Sequence, residues 1–327
     1  MGHILEGVPV KRWDPNIILS DAVTPNPQIE ILQYRTPAKF LAPEIRYGDP
    51  VSALVAGRNF AVWSESDGLD QASLYLSDYS FAEMFGSGRV LRQLSDQPIL
   101  VAANAAHGNY WHWLFQCLAP ALIARAEGLA MRFLSPVLDK LRRDGLAMAG
   151  IDAADVIELH DHELAALPQA VTTNLTAGEH AFMPHPRLVQ LLEDMAEQAP
   201  PSSLSGQKIY VARDSVKRGL SNEGALAEGL ERLGFRTVVT SQLTLAEQMA
   251  VFRDAVVIVS AHGAALANLA FCRSAQPPAI VELLQENYIN STFLKLGQVK
   301  RLNYTAIVNR MIDPGSDGRH FSTWEAD

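Results

Sequence analysis

Cysteine is scarce: the 327 residues hold two, Cys117 and Cys272, and neither belongs to a C-x-x-C pair. Both fall inside apolar helical patterns, so buried thiols in a reducing compartment are expected, not a disulfide framework or a cysteine metal site. Concentrated positive charge is missing as well. The formal net charge is −9, with no basic run or stripe, so nucleic acid is not an expected partner. No window approaches ~18 uninterrupted apolar residues, and no membrane span is expected. The opening MGHILEGVPVKRWDP has no basic segment ahead of an apolar core, and position 6 is Glu6. Neither a signal peptide nor a myristoylation site is therefore expected. There is no G-x-G-x-x-G and no G-x-x-x-x-G-K-[ST], which argues against dinucleotide cofactors and against a P-loop NTPase. A cytoplasmic protein is the expectation.

What is present is an α/β pattern long enough for about two domains. Residues 1–50 are rich in proline, with strands expected at Glu30–Tyr34 and near Ile45. Short β-like runs follow at Ala53–Val55, Phe60–Trp63 and Ser73–Leu76. Pro98–Ala103 reads as a buried strand. It leads into a long helix from Asn109, a fitting N-cap, to Ala126, with Pro120 expected to kink it or split it in two. On that helix His112 and Gln116 are i, i+4 neighbours, close in sequence to His107, Asn109 and Tyr110. Asp161-His162-Glu163 is an acid cluster at a strand end. A βα alternation continues until Ala199–Gly206, where two prolines, three serines and a glycine mark the expected domain boundary. The expected division is 1–200, 201–312 and a polar tail, 313–327, partly disordered.

From Lys208 the βα alternation is regular, which implies a doubly wound, Rossmann-like domain holding its ligand at the carboxyl edge of the strands. Its centre is Val256–Phe271, VVIVSAHGAALANLAF. This reads as a strand, a turn at Ala261–Gly263 and a helix. A helix N-terminus reached through small residues suits an anion, and Gly263 and Ala264 leave room for one beside the His262 donor. The loop after Lys208–Ala212 carries Arg213, Lys217 and Arg218, followed by Asn222 and Glu223. It falls on the same edge, where arginines suit phosphate oxygens. Glu282, at the end of the next strand, is placed to accept both hydroxyls of a ribose. Each feature also has a plain structural reading: a strand–turn–helix with no ligand, a solvated basic loop, a helix-capping or surface acid.

Three blocks together resemble a family. They are Asn109–Pro120, NYWHWLFQCLAP; Arg213-x4-Arg218-x3-Asn222-Glu223; and Glu247-Gln248 through Phe252 and Ala255 to His262-Gly263-Ala264-x-Leu266-x-Asn268, followed by Ile280-Val281-Glu282. In order and spacing they are similar to the family 61 glycosyltransferases (the DUF563 domain) in their bacterial, capsule-associated form, over roughly 98–283. The resemblance implies a GT-B-like architecture: two Rossmann-like domains facing across a cleft, with a β-rich N-terminal extension, an acceptor side in the first half and the nucleotide sugar on the second. It implies inversion at the anomeric carbon with no obligatory metal and no cofactor, in keeping with the absence of a D-x-D motif. On that reading Arg213, Arg218, Asn222, Glu223, His262, Gly263, Ala264, Asn268 and Glu282 serve the donor, with UDP-sugar as the leading candidate. His107, Asn109, Tyr110 and Gln116 lie on the acceptor side, and His112 is the base, with Asp161 or Glu163 as substitutes. The implied partners are a nucleotide sugar and a glycan or lipid-linked glycan, with peripheral membrane association left open. One departure matters: where family members often carry an acid four residues after the histidine, this chain has Gln116. That leaves two rival readings, a GT-B-type nucleotide-sugar epimerase and a non-catalytic scaffold with a decayed donor pocket.

Overall fold

A computed structural model describes the chain apart from residues 1–3, 22, 25, 35–37, 76–78, 181, 214–216, 319 and 327, and apart from the side chains of 33, 34 and 179. The fold is mixed α/β in two compact units, Met1–Val8 with Ala42–Leu191 and Pro9–Leu41 with Leu192–Asp327. Among the described residues no helix is long and apolar enough to cross a membrane.

The second unit is built on a parallel sheet. Its six strands lie in the order Phe235–Val238, Lys208–Val211, Val257–Ala261, Ala279–Gln285, Asn303–Asn309 and Asn16–Leu19. Every neighbouring pair is parallel. Parallel strands are buried on both faces and read as largely apolar runs, as VIVSA does; AIVELLQ is broken by Glu282. The chain leaves Lys208–Val211 toward one neighbour and later returns on its other side as Val257–Ala261. That reversal is a topological switch point, and the connections diverge there at the carboxyl ends of the two strands.

Local chemistry explains the helices of this unit. Glu223–Arg232 is followed by Leu233 and Gly234, whose φ of 85° is the left-handed conformation glycine adopts freely. Leu245–Asp254 starts from a full capping box between Thr244 and Glu247. Thr292–Lys300 contains Gly297. A Cβ at Gly297 would lie 2.8 Å from the Tyr304 ring, so this glycine admits the ring beneath the helix.

One expectation for this unit is corrected. Glu30–Tyr34 is not a strand but part of a helix, Pro27–Tyr34. Asn26 Oδ1 accepts from the N–H groups of Gln28 and Ile29, Pro27 opens the first turn, and Ile29 and Leu32 are buried at i, i+3. In the polar tail residues 312–318 are exposed, and burial is confined to its end. Met311–Asp313 pairs with Thr323–Trp324, which also pairs with Gly219–Leu220, and Trp324 is buried.

The first unit carries a mixed sheet. Val156–Leu159, Arg132–Pro136, Ile99–Val101 and Glu163–Val171 run parallel. Val51–Ala56, Val62–Ser64 and Gly68–Leu69 continue it antiparallel, and Val90–Gln93 pairs with Glu163–Val171. The expected strand at Ser73–Leu76 is instead a 3₁₀ turn, Gln71–Leu74, capped by Asp70; Leu76 lies outside the described residues.

Candidate active site

At the switch point of the parallel sheet, Arg213 joins two loops. Its Nη1 donates to the His262 carbonyl at 2.5 Å and its Nη2 to the Lys217 carbonyl at 2.8 Å. Its backbone N–H donates to Glu223 Oε1 at 2.7 Å, and the same oxygen accepts from the Tyr210 hydroxyl at 3.0 Å. Glu223 thus fixes the exit of the Lys208–Val211 strand. Gly263 is extended (φ −177°), which any residue can be. What it supplies is room, since a Cβ there would meet Nη1 of Arg213 at 3.4 Å. Gly263, Ala264 and Ala265 are half-exposed, while the rest of Ala264–Phe271 is buried. This helix is of the tighter 3₁₀ form. Its first N–H groups have no intrahelical partner, and the residues that carry them, Gly263, Ala264 and Ala265, have small side chains or none.

Behind the turn lies a chain of three side chains. His262 Nδ1 is 2.6 Å from Glu282 Oε1, and Glu282 Oε2 accepts from the Tyr304 hydroxyl at 2.9 Å. Glu282 has no exposed surface and His262 is 8% exposed. Register produces the set. Ser260 pairs with Glu282 and Ile280 with Tyr304, and alternate residues share a face, so His262, Glu282 and Tyr304 all point to one side. The expected ribose contact of Glu282 does not match this position: both carboxylate oxygens are bonded inside the protein. Burial, and then the Glu282 charge, raise the Tyr304 hydroxyl well above its ordinary range.

Arg218 forms a further wall. Its φ of 52° is unusual for a side-chain-bearing residue. Its guanidinium lies 4.4 Å over the Tyr288 ring. Its N–H donates to the His320 carbonyl, and its own carbonyl accepts from Trp324 Nε1 at 3.0 Å. Tyr288 also packs on His262 and His320. Asn222 bonds the backbone of Ala326 through both ends of its amide. Asn268 is not part of this group: it is fully buried and donates to Gln248 Oε1 at 3.0 Å.

In the first unit, Ile99–Val101 delivers the chain to a loop held by buried Asn104, which donates to the Thr176 carbonyl at 2.9 Å. Asn109 caps the next helix by accepting from the Trp111 N–H. That helix is interrupted by a π turn just ahead of Pro120. It runs Tyr110–His112, widens into a π turn at Trp113–Leu118, and resumes at Ala119–Ala126. The Ala119 N–H reaches back five residues to the Leu114 carbonyl, and the wider turn absorbs the N–H that Pro120 lacks.

His112 Nδ1 is 2.7 Å from Gln116 Oε1. Gln116 is fully buried, and its Nε2 donates to the carbonyls of Leu175 (3.0 Å) and Ala177 (2.9 Å). The Tyr75 hydroxyl lies 3.4 Å from Nδ1 and 3.3 Å from Nε2, and the Phe182 ring packs edge-on at 5.7 Å. Tyr75 has φ 26°, an uncommon backbone conformation of the kind found at functional sites. Burial holds His112 below the usual histidine range, with the Gln116 bond acting the other way. Burial pushes the Tyr75 hydroxyl up to about 12. At neutral pH His112 is therefore a neutral imidazole and Tyr75 a hydroxyl donor.

Other candidates do not join this cluster. His107 packs against Phe60, and its carbonyl accepts from Arg142. Burial first, then Arg142, lower its pKa. Tyr110 stacks on Trp113. Glu163 accepts from the His160 N–H and from Arg92, and Asp161 offers its carbonyl to Arg89. Both cysteines are buried, and burial pushes each thiol up to about 12, which disfavours nucleophilic chemistry. Among the described residues no grouping of three or more histidines, cysteines or acids is placed to hold a metal.

Sequence reasoning missed Tyr75, Tyr288, Tyr304 and His320. The available signal was Phe321 and Trp324, two large apolar residues in an otherwise polar tail.

A family model described as Glycosyltransferase 61 matches residues 110–278, just over half of the chain. No curated protein matches it.

Proposed function

The chain belongs to glycosyltransferase family 61, and from that premise we propose that it moves a sugar from a nucleoside diphosphate sugar, UDP-linked in the first instance, to a hydroxyl of a glycan acceptor. The reaction is a single displacement with inversion, without a metal, in surface polysaccharide synthesis. The acceptor oxygen attacks the anomeric carbon. The bond from that carbon to the diphosphate breaks with its electron pair, and the acceptor proton passes to His112 Nε2. Positive charge at Arg213 and Arg218, with the N–H groups of the Gly263–Ala265 turn, offsets the charge growing on the leaving diphosphate. Asn222 and Glu223 shape that loop. Glu282 supports His262 from behind and leaves the ribose to other groups.

The observation that carries this reading is the position of Arg213 on the His262–Gly263 turn, at the carboxyl edge where the strand order reverses. Open α/β sheets hold their ligands at such points. Calorimetry with UDP and UDP-sugars is the first test, followed by a donor screen that reads UDP release in the presence of glycan acceptors. Saturable UDP binding that weakens in Arg213→Ala supports the donor site. No binding at millimolar UDP overturns it. Binding without acceptor-dependent UDP release with any donor supports the scaffold reading instead.

A further inference from the structure

We propose that Gln116 is a positioning residue whose side-chain amide locks His112 in the form protonated on Nδ1, leaving the lone pair on Nε2. The inference rests on the reading of His112 as the base and specifies how that base is prepared.

The assignment follows from what each atom can do. The carbonyls of Leu175 and Ala177 can only accept, so the group facing them must donate. In Gln116 that group is the NH₂, and both of its hydrogens are used. The amide oxygen is then the atom facing His112, and it too can only accept. Nδ1, 2.7 Å away, must carry a hydrogen. Rotating the amide by half a turn would set its oxygen against two carbonyl oxygens and forfeit two buried hydrogen bonds. A neutral imidazole with hydrogen on Nδ1 has its in-plane lone pair on Nε2.

Tyr75 does not consume that lone pair. Its hydroxyl is almost equally distant from the two ring nitrogens. A point in the ring plane meeting that condition would overlap the carbon between them, so the hydroxyl lies over the ring face. The same geometry explains why an amide stands at position 116. A carboxylate there would press a charged oxygen against the two carbonyls, whereas an amide satisfies every partner. Gln116 is matched to its cavity, formed by the Thr173–Ala177 segment and the π turn, and is not a relic of a lost acid.

The full-length protein, labelled with ¹⁵N at histidine, tests this directly. Long-range ¹H–¹⁵N spectra at neutral pH, with His112 assigned by its loss in His112→Ala, are expected to show Nδ1 protonated and Nε2 bare. The reverse pattern overturns the proposal, with no variant required. Gln116→Leu is expected to release the lock and to lower kcat roughly tenfold or more, leaving KM for the donor unchanged, as wrong-tautomer histidines do. A folded Gln116→Leu that keeps the Nδ1-protonated form also overturns it. Gln116→Glu retains an acceptor toward Nδ1, and its expected turnover lies above that of the leucine variant, at reduced Tm. Full turnover in His112→Ala removes the base reading while the locked tautomer stands, so the two failures are separable.

Discussion

Two histidines in this molecule are held in the same way by chemically different groups. His112 meets the amide oxygen of Gln116 at 2.7 Å, and His262 meets the carboxylate of Glu282 at 2.6 Å. Both contacts use Nδ1 and both acceptors are fully buried. The amide presents a dipole, so it orients its ring without adding charge. The carboxylate presents a formal charge, and a second donor, Tyr304, secures its other oxygen. The first arrangement suits a residue that must accept a proton and give it up again. The second suits a residue whose carbonyl and backbone have to hold a loop in place beside Arg213. On the proposed reading the same side chain performs chemistry in one unit and architecture in the other, and the group behind it makes the difference.

That contrast breaks most visibly through kinetics. His112→Ala is expected to lower turnover by about 10²- to 10⁴-fold, the usual worth of a general base, with UDP affinity unchanged by calorimetry. Removing the carboxylate should act on stability instead. Glu282→Leu leaves His262 Nδ1 and the Tyr304 hydroxyl buried without their acceptor, at a cost of roughly 1–3 kcal/mol each. Chemical denaturation would read that loss. An unchanged midpoint would mean that the buried chain does not support the turn. Arg213→Ala is expected to weaken UDP binding roughly tenfold to a hundredfold, the equivalent of ~1.5–3 kcal/mol for a charged hydrogen bond. An undiminished affinity would detach the guanidinium from the donor.

The smallest effect concerns pH. Burial, and then His185 and Arg46, lower the pKa of His180 from 6.5 to about 4. Above 6.5 neither the folded nor the unfolded chain binds this proton, and the contribution to stability is complete. As pH falls from 6.5 toward about 4, the unfolded chain takes up a proton that the folded unit refuses, so stability declines. His107, His112 and His185 shift in the same direction. Melting temperatures across this window should fall in the wild type and fall less steeply in His180→Phe.

How much of this could be read in advance depends on the range of the interactions. Strands such as VIVSA were legible because a buried parallel strand is a largely apolar run. The Thr244–Glu247 and Asn109 caps were legible because their partners are two or three residues away. The Pro27–Tyr34 helix was misread because Ile and Tyr suggest a strand, and the Asn26-Pro27 cap outweighed them. Pro120 announced a disturbance, but whether the backbone would kink or widen depended on how the helix packs. The i, i+4 relation of His112 and Gln116 was visible, yet the two carbonyls that settle the amide come from residues 175 and 177. Glu282 was placed on the correct strand but at its end, whereas it is buried at the middle of Ala279–Gln285. Its partner depended on sheet register, which no single strand encodes.

The pairing of Asn16–Leu19 with Asn303–Asn309 bears on how the protein is made. These strands are separated by almost the whole chain, and synthesis produces the first long before the second. Until residues 303–309 emerge, NIIL is an apolar edge strand with no neighbour, the kind of segment that recruits other chains. Closing so long a loop also comes late, since its entropy must be met before the contact repays it. The parallel sheet that carries the Arg213 and His262 loops is therefore completed at its far edge only after residues 303–309 have been made. Exposure of Ile17–Leu19 to chaperones is built into the topology of the second unit.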